Sequence, residues 1–228
     1  MAHAPPPTSD TATLVISSRN YSSWSLRGWL LVRLAGLACT VRCVESTDAV
    51  ARAELLLQTA SIRIPWLEHE GLVIWDVMAI AAYLDERFPE APMLPTERAA
   101  RARCRAISGE MHGGFAALRA SLPVNLRAFR PNFPIWSGVR ADIDRITEIW
   151  RECLQTWGGP YLFGSQMSVA DAMYAPVCTR FSTYDVELDG LCAAYNATML
   201  ALPDTAAWIA EARQEQDEVS ELEVEVEF

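Results

Sequence analysis

"TLVISSRNYSSWSLRGWLLVRLAG", residues 13–36, passes from a β-branched run through a serine cluster into a helical pattern that stops at a glycine. Thr13–Ser17 is short, apolar and β-branched, the mark of a buried strand. "SWSLRGWLLVRLAG" repeats its apolar residues at helical spacing, and a glycine just past the last of them is a usual stop. Between the two stand Ser22, Ser23 and Ser25. A helix needs one hydroxyl at its N-cap, so the cluster reads either as a cap with two neighbours filling the first turn, or as a cap with a second task. Unpaired N–H groups and the helix dipole make such a turn hospitable to an anion, a thiolate included. A hydrogen bond donated there lowers a thiol's pKa from about 8.5 and raises its thiolate fraction.

Outward from this stretch, "TVRCVE" (40–45) alternates as a second strand, and "DAVARAELLLQTA" (48–60) is helical in pattern. "IPWLEHEGLVIW" (64–75) reads as two strands around Glu70-Gly71, an acidic-Gly turn of the kind hairpins favour. "VMAIAAYLDERF" (77–88) is an amphipathic helix stopped by Pro89. The order β-α-β-α-β-β-α predicts an α/β layer on a mixed sheet. Beyond "PEAPMLPTE" strand signals fade and helices are expected at 96–122, 137–157, 168–183, 187–201 and 203–215. The expected organisation is an arm at 1–12, an α/β domain at 13–88, a linker at 89–95, an all-helical domain at 96–215 and an acidic tail at 216–228.

Composition narrows the function classes. The 228-residue chain is half hydrophobic, enough for a sizeable core. It has no run of 18 apolar residues and no charged leader before an apolar stretch, so neither a membrane span nor a secretory signal is expected, and the expected compartment is the cytoplasm. The formal charge is −10, yet the last fifteen residues hold seven of the carboxylates and the rest of the chain carries only −3. All 19 basic residues are arginine. Without a basic patch, nucleic acid is an unexpected partner. Six cysteines form no CxxC pair and sit mostly in apolar helical stretches, where a free thiol packs as a small hydrophobe. Three scattered histidines show no metal-ligand spacing, and no metal is expected.

Two further pieces carry chemistry. Pro65 opens a strand at "IPW", where it cannot donate to a ladder; a cis bond there would present the backbone of Ile64 as a fixed edge. Asp76 stands just before "VMAIAAYL". It caps that helix, or together with the N–H of Val77 it binds a zwitterion, the carboxylate taking an amine and the N–H a carboxylate.

Strand, serine cap, x-Pro hairpin and acidic residue before "xxAIxxYL" together resemble the thioredoxin-like domain of the cytosolic glutathione transferases. The resemblance runs from about residue 13 to 215. "MSVADAMYAPV" resembles the family's buried helix start, with Ser168 and Asp171 as a capping pair. "SSWS" followed by Arg27 is similar to the zeta and phi classes, which implies a bacterial, serine-type member with Trp24 where zeta relatives keep a cysteine. The resemblance implies a glutathione-binding domain followed by an all-helical domain for an electrophile, in a homodimer. Residue by residue, it implies Ser22 as donor to the glutathione sulfur with Ser23 as helper. Ile64 and cis Pro65 would pair with the cysteinyl unit, Asp76 and Val77 hold the γ-glutamyl end, and Arg63 meets the glycyl end. Between the domains, Met111, His112, Phe115, Trp136, Tyr174 and Tyr184 are the expected pocket walls. Gly113-Gly114 is expected to lie within a long helix, for close packing or for substrate room. Val77 replaces the family's usual serine and Ile62 a common glycine. The expected activity is conjugation of glutathione to small electrophiles; the alternatives are a glutathione-dependent isomerase and a binding or regulatory module without catalysis.

Overall fold

The computed structural model describes residues 12–44 and 63–215. The arm, the helical pattern at 48–60, Ile62 and the acidic tail lie outside the described residues. Four strands form one sheet in the order β2-β1-β3-β4: β1 (Ala12–Ile16), β2 (Cys39–Cys43), β3 (Trp66–His69) and β4 (Leu72–Trp75). β2 runs parallel to β1, while β3 and β4 are antiparallel to their neighbours. The crossover between the parallel pair is α1 (Ser23–Leu34), which ends where Gly36 takes φ 69°. The β3–β4 hairpin closes through Glu70 (φ 51°) and Gly71 (φ 77°) between the paired His69 and Leu72. Positive φ at both central residues is what a two-residue turn matching strand twist requires.

Helix α2 (Val77–Arg87) buries Val77, Ile80, Ala81 and Leu84, one helical stripe, against the sheet layer. Chain 88–97 then crosses to the second half. It is not a loose tether: Met93 is buried, and its carbonyl accepts the Val169 N–H at 2.9 Å. The second half holds α3 (Arg98–Gly113), α4 (Ala116–Ser121), α5 (Ser137–Trp157), α6 (Val169–Thr183), α7 (Gly190–Ala201) and α8 (Pro203–Ala212). Its centre is α6, which is buried along nearly its whole length. The start of α6 is fixed by Asp171, whose carboxylate accepts the Ser168 N–H and hydroxyl (both 2.8 Å), the Leu162 N–H (3.0 Å) and the Tyr195 hydroxyl (3.1 Å).

One expected element is corrected. The single helix over 96–122 is two helices, because Gly113 ends α3, Gly114 caps it in extended backbone and Phe115 turns left-handed at φ 57°. A side chain at Gly114 would meet the Glu110 carbonyl at 2.6 Å, so this glycine serves the turn and not packing within a helix.

Candidate active site

The sheet register gathers the three chemistry-bearing segments at one edge. Val15 pairs with Trp66 and Trp66 with Trp75. The chain leaving β1 toward Ser22, the chain entering β3 through Pro65, and the chain leaving β4 at Asp76 therefore meet side by side. Gly28 brings α1 against this edge: a Cβ there would lie 3.0 Å from Pro65 Cγ and 3.4 Å from Leu14 Cδ1. The Ile64–Pro65 peptide is cis.

Ser22 is the N-cap of α1, with φ −95° and ψ 106°. Its oxygen accepts the Ser25 N–H (3.2 Å) and the Ser25 hydroxyl (2.9 Å). Both bonds use Ser22 as acceptor, so its own proton is left to donate. Ser23 is committed differently: its oxygen accepts from Arg27 Nη1 at 3.2 Å. Arg27 is a fully buried guanidinium that also donates to the Met173 carbonyl of α6 (2.8 Å) and stacks 4.4 Å from the Trp24 ring. It ties the first turn of α1 to the helical domain.

Asp76 sits at φ 73° and caps α2. Its Oδ1 accepts the Met78 (2.8 Å) and Ala79 (3.4 Å) N–H groups, the second and third of the helix, leaving the first, on Val77, outside the cap. Its Oδ2 accepts from His112 Nε2 at 2.8 Å. His112 stands edge-on to Trp24 with centroids 5.2 Å apart, and the Arg119 guanidinium lies 5.6 Å from the same ring. Trp24 thus fills the junction between the domains under two guanidinium groups.

The other expected residues separate. Met111 is buried in the helical core, and so is Tyr174, whose hydroxyl donates to the Ile107 carbonyl (3.3 Å) while its ring meets Trp150 edge-on. Both are fully buried, and an apolar or aromatic residue in a helix looks the same in sequence whether it lines a cavity or a core. Tyr184 likewise spends its hydroxyl on the Pro123 carbonyl (3.0 Å). Phe115 is nearly buried at the α3–α4 turn. Trp136, at the start of α5, is 67% exposed. Arg63 is exposed beside Ile64. A cleft of about 740 Å³ runs between the linker and the start of α6, lined by Asp85, Arg101, Arg105 and Trp157 among others, but by none of Ser22, Pro65 or Asp76.

Five of the protein's six thiols are poorly suited to act as nucleophiles. Burial pushes Cys39, Cys104 and Cys153 up to about 11 and Cys192 up to about 12. Burial also raises Cys178 well above the ordinary thiol value. Among the described residues no group of three or more His, Cys, Asp or Glu is arranged to hold a metal ion, and no helix is long and apolar enough to cross a membrane.

Sequence reading missed Gly28, the His112–Asp76 bond and the role of Trp24. A signal existed for the first: glycine inside a helix costs about 1 kcal/mol against alanine and so marks a close approach.

A thioredoxin-like sheet domain with its cis-proline edge, followed by a helical domain, defines the class to which the chain is matched. Residues 21–87 match the family model "Glutathione S-transferase, N-terminal domain" and residues 99–211 the model "Glutathione S-transferase, C-terminal domain". The chain belongs to the glutathione S-transferase family. It is 25% identical over 173 residues to a probable maleylacetoacetate isomerase of Caenorhabditis elegans, covering 75% of this chain and 78% of that protein. Among solved structures, a glutathione transferase homolog from Burkholderia with bound glutathione superposes with TM-score 0.68 at 19% identity, over 90% of this chain and all of that one. A maleylacetoacetate isomerase from Anaeromyxobacter dehalogenans, with dicarboxyethyl glutathione and citrate in its active site, superposes with TM-score 0.62 at 25% identity, over 91% and 94% of the two chains.

Proposed function

We infer that this protein is a glutathione transferase that conjugates glutathione to small electrophiles. The carrying observation is the convergence of the Ser22 cap, the Ile64–Pro65 segment and the Asp76 cap on one sheet edge, with the Ser22 proton uncommitted. In this reading Ser22 donates to the glutathione sulfur, and the positive end of α1 adds to the stabilisation of the thiolate. Ser23 acts indirectly, by holding Arg27 in place. The backbone of Ile64 pairs with the cysteinyl unit, and Arg63 meets the glycyl carboxylate. Asp76 takes the γ-glutamyl amine, and the Val77 N–H takes the neighbouring carboxylate. Because Asp76 Oδ2 already accepts from His112, the amine shares that carboxylate with a residue of the second domain. The sulfur then attacks an electrophile held at the domain junction near Trp24, His112 and Phe115, and catalysis rests on positioning and on the lowered thiol pKa. Titration calorimetry with glutathione tests this; absence of saturable binding overturns it.

A second reading, isomerisation, has two observations in its favour. The Arg119 guanidinium, partly exposed beside Trp24 at the junction, is suited to a carboxylated substrate, and isomerases stand among the relatives. A maleyl-type diacid that is isomerised without consuming glutathione would establish it; turnover of halogenated aromatics alone would favour conjugation.

The same reading includes a homodimer. β4 is an edge strand whose Leu72 and Trp75 are 52% and 39% exposed, an apolar edge of the kind that chains cover. It also includes a cytoplasmic location. Light scattering on Trp75→Glu tests the dimer: a monomeric variant supports this interface, and an unchanged dimer refutes it.

A further inference from the structure

The loop between β1 and α1 poses a hydrogen-bonding problem. β1 stops at Ile16 and α1 starts at Ser23, so the N–H groups between them have no ladder to join. Ser18 and Asn20 are buried as well. The solution comes from the far end of the chain, just beyond α8. The Glu215 carboxylate accepts the Asn20 N–H at 2.7 Å and the Ser18 hydroxyl at 3.0 Å on Oε2, and the Arg19 N–H at 3.3 Å on Oε1. Ser18, oriented by that bond, in turn accepts the Tyr21 N–H at 3.0 Å. The same region of the chain adds further ties. Trp208 donates to the Arg19 carbonyl (3.0 Å), Glu211 pairs with Arg19 Nε (2.7 Å), and Arg127 bridges the Glu215 carbonyl (2.7 Å) to the Tyr21 hydroxyl (2.8 Å).

We propose that Glu215 is a positioning residue for thiol activation: its carboxylate organises residues 18–21 and thereby sets where Ser22 presents its hydroxyl to the glutathione sulfur. The inference rests on the reading of Ser22 given above. Three donors on one carboxylate, two of them consecutive backbone N–H groups, specify the loop more tightly than a surface ion pair would. The assignment makes a prediction opposite in sign to simple electrostatics. Glu215 is a negative charge near a site that stabilises an anion, so removing its charge alone would lower the bound thiol's pKa. Loss of the loop geometry would instead raise it.

The experiment measures the pKa of enzyme-bound glutathione from its ultraviolet thiolate absorbance in the native protein, Glu215→Gln and Glu215→Ala, with thermal unfolding of each. Glutamine keeps one acceptor oxygen and so part of the network. The expected result is a rise of about one pKa unit in Glu215→Ala, a tenfold lower thiolate fraction near neutrality, and a smaller rise in Glu215→Gln. An unchanged or lowered pKa in Glu215→Ala, with a normal signal in the native protein, overturns the role of Glu215 and leaves Ser22 standing. No thiolate signal in the native protein overturns both. Should Glu215→Ala fail to fold, the Gln variant decides on the same criterion.

Discussion

Ser22 is asked to do two things, and substitution can separate them. As a cap it accepts from the Ser25 N–H and hydroxyl. Ser22→Ala removes the cap, at about 1 kcal/mol, and leaves the buried Ser25 hydroxyl without its acceptor, at about 1 kcal/mol more. A total of about 2 kcal/mol corresponds to a Tm lower by about 4–8 °C for a chain of this size. Ser22→Gly also loses the hydroxyl, but glycine at an N-cap costs only a few tenths of a kcal/mol relative to serine, so its Tm should fall by about two-thirds as much. As thiol activator, Ser22 contributes one hydrogen bond to an anion, about 1.5–3 kcal/mol, or about one to two pKa units of the bound thiol. That loss is the same in both variants. The assay pairs thermal unfolding with the thiolate absorbance of bound glutathione across pH. Two different Tm values with one common rise in thiol pKa are expected. A glycine variant with native thiolate absorbance would show the hydroxyl to be a cap only and refute the assignment.

Asp76→Asn keeps the cap, since asparagine caps as well as aspartate and tolerates the φ of 73°, but loses the acceptor for His112, so Tm should fall by no more than that one bond, about 1 kcal/mol, while KM for glutathione rises about tenfold with kcat preserved; equal losses in both would mean that Asp76 acts in the chemical step. Gly28→Ala gains about 1 kcal/mol of helix propensity but forces a methyl to 3.0 Å from Pro65 Cγ, a contact that costs about 1–3 kcal/mol; Tm should fall slightly and glutathione KM should rise, as calorimetry and steady-state kinetics can check. The Arg145 guanidinium, hydrogen-bonded to Glu110 at 2.7 and 3.1 Å, holds that carboxyl below its ordinary 4.5. A depressed folded pKa contributes stability that is present above the unfolded value and lost as pH falls through the folded one. Unfolding curves below about pH 4.5 should therefore be flatter in Glu110→Gln than in the native protein.

Much of the fold is legible in sequence because its signals are local. The Glu70-Gly71 turn is marked by its glycine, which accepts positive φ, and α5 is found at 137–157 because its apolar stripe keeps one period throughout. The break at Gly113-Gly114 is not legible in the same way. Apolar residues continue past it, and only the carbonyl of Glu110 standing 2.6 Å from a would-be Cβ fixes Gly114 as a turn position. Among the site residues, Ser22 and Asp76 announce themselves as caps from their neighbours alone. Met111 and Tyr174 do not disclose which side of the helix meets solvent, so they read as pocket walls although both are core.

By itself, then, the sequence determined the four strands and the helices that follow the first and last of them, the two caps and the proline edge, since each is decided by the few residues on either side of it. Only the tertiary structure decided which distant groups those caps would meet: His112 on Asp76 from 36 positions away, Pro65 against Gly28, and Glu215 on the loop before Ser22 from about 195 positions away. Such pairings depend on how the sheet and the helical domain pack, and a carboxylate or a histidine carries no local mark of the partner that packing brings to it.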